Sequence, residues 1–93
     1  MELRQLEYFR SVCQELHFTR AAEKIGISQP SLSQQIRLLE HEIGAPLFDR
    51  IGKKTALTES GRLLLKYTQN IFHEIEQAQT AIKELNGLQR GNI

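Results

Sequence analysis

The chain has 93 residues, 40% of them apolar and 25% charged, with 12 Lys and Arg against 11 Asp and Glu for a net charge of +1. That length holds one domain, or one small domain plus an appendage, and its core needs no staples. One cysteine excludes an intrachain disulfide and a cysteine zinc cluster, which fits a reducing, cytoplasmic setting; the charged start Met1-Glu-Leu-Arg-Gln-Leu6 is no signal peptide, and no apolar run reaches the roughly 18 residues of a membrane helix.

Apolar residues Leu3, Leu6, Phe9, Val12, Cys13 and Leu16 recur at near-helical spacing, which predicts an amphipathic helix over 3–16. A short second helix is expected over 20–25, capped by Thr19, with Ala21, Ala22 and Ile25 facing inward. Gly26 supplies the turn, and Ser28 is placed to cap a third helix over 29–43. Leu32, Ile36, Leu39 and Ile43 give that helix one narrow buried stripe. Its opposite face carries Pro30, Ser33, Gln34, Arg37 and His41. Pro30 is tolerated in a first turn, whereas Gly44 and Pro46 end the helix. Residues 18–37 thus have the layout of a helix-turn-helix, whose second helix enters the DNA major groove.

Leu47-Phe-Asp-Arg50 and Thr55-Ala-Leu-Thr58 are short strand-like runs with Ile51-Gly-Lys-Lys54 as the turn, a β-hairpin wing. Thr58 then caps a long helix from Glu59 to about Asn86, about 40 Å long, with Gly87 as its stop. Leu64, Ile71, Ala78 and Leu85 alternate with Thr68, Ile75 and Ile82 in a coiled-coil pattern. Packing on the chain's own body is expected for the first two turns only, through Leu63, Leu64 and Tyr67. A second copy of the helix is the expected partner for the rest, with Leu64, Ile71, Ile75, Ala78, Ile82 and Leu85 as the dimer interface. The expected organisation is a DNA-binding unit over 1–58, a dimerisation helix over 59–87, and 88–93 as the start of a hinge into something absent.

For direct readout, Gln29 can pair with adenine N6 and N7, and Pro30 can press on a thymine methyl, with Ser33 and Gln34 on the same face. Ser28 caps and can bond a phosphate. Ser31 and Arg37 suit backbone contacts, which fix register without carrying sequence information. Arg50, Lys53 and Lys54 form a local basic patch on a near-neutral body, at the backbone or the adjacent minor groove. The bland alternatives are capping and solvation for the helix residues and a solvated turn for the wing. His17, His41 and His73 lack metal-ligand spacing and read as surface or boundary residues. Cys13 reads as core, with redox sensing as the sharper alternative. No Ser-His-Asp set, glycine-rich phosphate loop or paired acid motif is present, so no enzyme activity is expected.

The blocks Leu3-Arg-Gln-Leu-Glu-Tyr-Phe9, Phe18-Thr-Arg-Ala-Ala22, Ile27-Ser-Gln-Pro-Ser-Leu-Ser-Gln-Gln-Ile36, Leu38-Leu-Glu40, Gly44-Ala-Pro-Leu-Phe-Asp-Arg50 and Leu57-Thr-Glu-Ser-Gly61 stand in order along the chain. With them the sequence resembles the N-terminal DNA-binding domain of LysR-type transcriptional regulators. The resemblance implies a mainly α winged helix-turn-helix, three helices plus a short β-hairpin wing, followed by a long linker helix that pairs antiparallel in a dimer. It also implies a C-terminal effector domain, absent here, that binds a small molecule and drives tetramer assembly; no cofactor is expected in this segment. Positions matching Gln29, Pro30, Ser33 and Gln34 are the family's usual base readers. Many relatives carry arginine at Gln34, so readout here is expected to shift toward adenine or weaken. Two other readings stay open: a protein-interaction module that has lost DNA binding, and a winged-helix regulator of the molybdate-sensing kind. The Ser28-Gln-Pro-Ser31 block favours the LysR type over the latter.

Overall fold

A computed structural model describes residues 1–91, with side chains described through Gly87. Its elements are α1 (Leu3–Glu15), α2 (Phe18–Ile25), α3 (Gln29–Ile43), β1 (Phe48–Ile51), β2 (Lys54–Leu57) and α4 (Glu59–Gly91). Helices α1–α3 pack around Phe9, Val12, Ala21, Ala22, Leu32, Ile36 and Leu39, and Leu47 and Phe48 seal the hairpin's root onto that core. Leu3 and Leu16, at the two ends of the α1 apolar pattern, stay exposed. Leu16 serves instead as the α1 C-cap, at φ 50°.

The cap of α2 is His17, not Thr19. The His17 Nδ1 accepts the Arg20 N–H at 3.1 Å, and the helix starts at Phe18, two residues earlier than expected. The earlier start carries the buried Phe18 ring on the helix, edge-on to Phe48 at 5.7 Å between centroids. Thr19 is exposed. Helix α3 occupies the expected span: the Ser28 hydroxyl accepts the Ser31 N–H at 3.2 Å, and Gly44 ends the helix at φ 85°.

The strands are shifted by one residue from the expected runs. They pair antiparallel from Phe48↔Leu57 to Ile51↔Lys54, leaving Gly52 and Lys53 as a two-residue turn. Gly52 has φ 63°. A positive φ at the first central residue is the mark of the type II′ turn, whose twist matches the strands it joins.

Thr58 caps α4 as expected. Its hydroxyl accepts the Gly61 N–H at 2.9 Å and donates to the Pro46 carbonyl at 2.7 Å, which ties the helix start to the loop after α3. Helix α4 does not stop at Gly87 but continues through Gly91 for 33 residues, about 50 Å. Residues 88–91 are therefore helical where a hinge was expected, and 92–93 lie outside the described residues. One interior glycine costs a helix only about 1 kcal/mol, too little to end one this long.

The rotation of α4 also differs from expectation. Leu64, Leu65, Thr68 and Phe72 face the body, and the Arg10 guanidinium lies 4.1 Å over the Phe72 ring. Leu63 and Tyr67, expected inside, are 59% and 54% exposed. Leu64, assigned to the dimer seam, is used against the chain's own core. Ile71 and Ile75 are half-buried, and beyond them Ala78, Ile82 and Leu85 are exposed. The molecule is accordingly elongated, 62 × 25 × 19 Å.

Cys13 is half-buried against the core, and burial pushes its thiol up to about 12. Only the thiolate is nucleophilic. Alkylation of Cys13 by iodoacetamide at pH 8 should therefore be slow in the folded protein and fast after unfolding. Equal rates in the two states would contradict the burial.

Candidate nucleic-acid interface

The face that α3 turns away from the core meets the hairpin across an open groove of about 550 Å³. Gln29, Pro30, Ser33 and Arg37 line it from the helix and Arg50 from β1, with Phe18 and Phe48 at its floor. A second groove of about 230 Å³ continues between α2 and the wing, lined by His17, Thr19, Gln29, Arg50, Lys53, Lys54 and Thr55. The fold thus brings Gln29, Pro30, Ser33, Arg37, Arg50, Lys53 and Lys54 to one side of the molecule. Gln34 is exposed on α3 outside both grooves, one turn after Pro30. Ser28 and Ser31 are exposed at the helix start and bonded to each other, Ser28 Oγ donating to Ser31 Oγ at 2.8 Å.

Strand alternation divides the wing's cations. Side chains two apart share a face of a strand. Phe48 is buried toward the body, so Arg50 points the same way. Its guanidinium lies 3.7 Å over the Phe18 ring and donates to Ser33 Oγ at 3.3 Å. Lys54 lies in β2, and Lys53 stands in the turn. Arg50 is therefore anchored against α2 and α3 and lines both grooves, whereas Lys53 and Lys54 line only the second.

The acid nearest the groove already has structural partners. A carboxylate oxygen of Glu40 accepts the backbone N–H groups of Leu47 and Phe48, at 2.7 and 3.4 Å. This fixes the hairpin root to α3 and sets the distance between helix and wing. His17, Thr19 and Thr55 are groove-lining residues that the sequence reading did not assign to the interface. Thr19 was read as a cap, and Thr55 was hidden in a strand too short to read by face. Among the described residues no group of His, Cys, Asp and Glu could hold a metal ion, and no helix is long and apolar enough to cross a membrane.

The architecture is that of a winged helix-turn-helix, and residues 3–62 match the family described as "Bacterial regulatory helix-turn-helix protein, lysR family". The chain belongs to the LysR family. LysR relatives align along nearly all of it. It is 41% identical over 93 residues to the RuBisCO operon transcriptional regulator of Allochromatium vinosum, which covers 100% of this chain and 31% of that protein. It is 48% identical over 85 residues to the Hca operon transcriptional activator HcaR of Escherichia coli K12, covering 91% of this chain and 29% of that protein. In three dimensions it matches the crystal structure of a BenM_DBD/benA site 1 DNA complex at a TM-score of 0.86, with 38% identity, 91% of this chain and 96% of that chain covered. The LysR chain described here thus spans about three tenths of the length of these two curated relatives.

Proposed function

We propose that this chain is the sequence-specific, double-stranded DNA-binding and dimerisation segment of a bacterial LysR-type transcriptional regulator. The start of α3 lies in the major groove, with the β1–β2 hairpin at the adjacent minor groove or backbone. The observation that carries this reading is the groove in which Gln29, Pro30, Ser33 and Arg37 of α3 stand together with Arg50 of the wing. It offers base-edge donors and acceptors along the helix and cations beside them, the two classes of contact that DNA recognition needs. The DNA in the BenM_DBD complex supports the same use of this fold.

A protein-interaction module is less well supported. The core of such an interface favours apolar and aromatic groups, whereas the groove side of α3 presents Gln29, Ser33 and Arg37. On its groove side one copy offers Arg37, Arg50, Lys53 and Lys54 as cations. A homodimer joined through α4 doubles them, and the exposed Ala78, Ile82 and Leu85 supply an unpartnered apolar edge for it. The reading extends, on the family resemblance, to tetramer assembly and a small-molecule effector acting through a further domain; the Allochromatium vinosum relative is about three times as long as this chain.

An electrophoretic shift tests the reading: saturable, sequence-dependent binding at low salt is expected, and its absence overturns it. Gln29→Ala should cost about 1–3 kcal/mol on the cognate site and relax the preference at one base pair. An unchanged preference would remove Gln29 from the readers.

A further inference from the structure

Ser33 stands at the centre of a chain of side chains. Its Oγ accepts a hydrogen bond from Gln29 Nε2 at 2.7 Å and a second from Arg50 Nη2 at 3.3 Å. A serine hydroxyl has two acceptor lone pairs and one proton. Both lone pairs are engaged, so the proton is what Ser33 has left to offer, and Ser33 lines the open groove. Arg50 is held in turn by the face of Phe18, at 3.7 Å, and Phe18 is buried on α2. The wing, the first helix of the helix-turn-helix and the reading helix therefore converge on one hydroxyl.

We propose that Arg50 is a specificity-determining positioning residue: from the wing, it fixes the Ser33 hydroxyl as a donor into the major groove, and Ser33 thereby selects a base edge that accepts. The inference rests on the DNA-binding reading above. In the major groove, purine N7, guanine O6 and thymine O4 accept, whereas cytosine presents the N4 amino donor. Cytosine is thus the base that Ser33 rejects at one position on one strand. With Arg50 removed, the hydroxyl has a free lone pair and can turn to accept from cytosine.

The test measures affinity by fluorescence anisotropy across duplexes varied one base pair at a time from a selected site. The proteins are the wild-type chain, Arg50→Lys, Ser33→Ala and the double variant. Lysine keeps the charge but lacks the planar fork that stacks on a ring while donating sideways. The wild type should disfavour cytosine at one position by about fivefold, the worth of one hydrogen bond. Ser33→Ala and Arg50→Lys should each erase that preference. Arg50→Lys should keep the wild-type slope of affinity against salt, and the double variant should lose no more selectivity than Ser33→Ala alone. Retained discrimination in Arg50→Lys, or additive losses in the double variant, would overturn the inference while leaving DNA binding intact. A wild type with no base preference anywhere would overturn both.

Discussion

Ile82→Asp combined with Leu85→Asp should turn the proposed α4 dimer into monomers in sedimentation, with the melting of the helical body unchanged. Both side chains are exposed, at 60% and 57%, and neither touches the core formed by α1–α3 and the hairpin. The substitutions therefore act on association and spare the fold. A stripe of isoleucine and leucine facing water on a helix of about 50 Å is an unpartnered seam, and aspartates on it would have to be desolvated against a second copy. On the proposed function, losing the dimer also separates two half-site readers, so affinity for an operator should fall by about 100-fold or more. A dimer that survives the double substitution would move the interface to the exposed side chains near the start of α4, Leu63 and Tyr67.

Gly61→Ala should destabilise the protein by about 2 kcal/mol, although alanine is the better helix former. A methyl built on Gly61 would lie 2.1 Å from the Leu47 carbonyl oxygen and 2.9 Å from a Leu57 methyl. The carbonyl is backbone and cannot turn aside like a flexible side chain. It also accepts the Thr58 N–H at 3.1 Å, so its displacement loosens the capped start of α4. Alanine gains about 1 kcal/mol of helix propensity, whereas overpacking of this kind costs about 1–3 kcal/mol and occasionally more. The steric term wins because the clash is severe. The melting temperature should drop by roughly 10 °C. Gly87→Ala is the control. Nothing lies within 4 Å of its added methyl, so the same exchange should stabilise slightly. Destabilisation by both, or by neither, would contradict the close approach at Gly61.

The span of α3 was legible to the residue because its signals are local and agree: the Ser28 cap, Pro30 in the first turn, the stripe of Leu32, Ile36 and Leu39, and Gly44 at the end; Ile43, expected on that stripe, is instead exposed beside the Gly44 cap, past the body that covers the rest. The start of α2 was not legible. Thr19 is the better cap by residue type, but the gain from burying Phe18 outweighs that preference, and His17 takes the role. The strands lie one residue off the expected runs because Gly52 leads a two-residue turn where the composition suggests a four-residue one. The direction of Arg50 is legible in the strand pattern. Once Phe48 is recognised as core, alternation along β1 turns Arg50 onto α3. The rotation of α4 was beyond periodicity. Leu63, Leu64 and Leu65 are consecutive and span most of the helix circumference, so any of them could face inward. Tertiary ties decide it, through Thr58 to Pro46 and the close contact at Gly61.

Net charge also gave a poor guide to the interface. A balance of +1 argues against strong non-specific binding, yet Arg37, Arg50, Lys53 and Lys54 gather on one side of the body with Gln29 and Ser33. Several acids are engaged: Glu40 holds the hairpin root, Glu42 pairs with the N-terminal amine, and Glu15 pairs with Lys24, whereas Asp49 stands on the opposite face of β1 from Arg50. Position decides this interface more than total charge does.

Selection of bound sequences from a random duplex pool tests the central claim most directly. The account predicts enrichment of a site with two-fold symmetry, its half-sites separated by whole helical turns, each half losing definition at one base pair when Gln29 is replaced by alanine. A pool that shows no enrichment, or an enriched site with no symmetry that Gln29→Ala leaves unchanged, would contradict it.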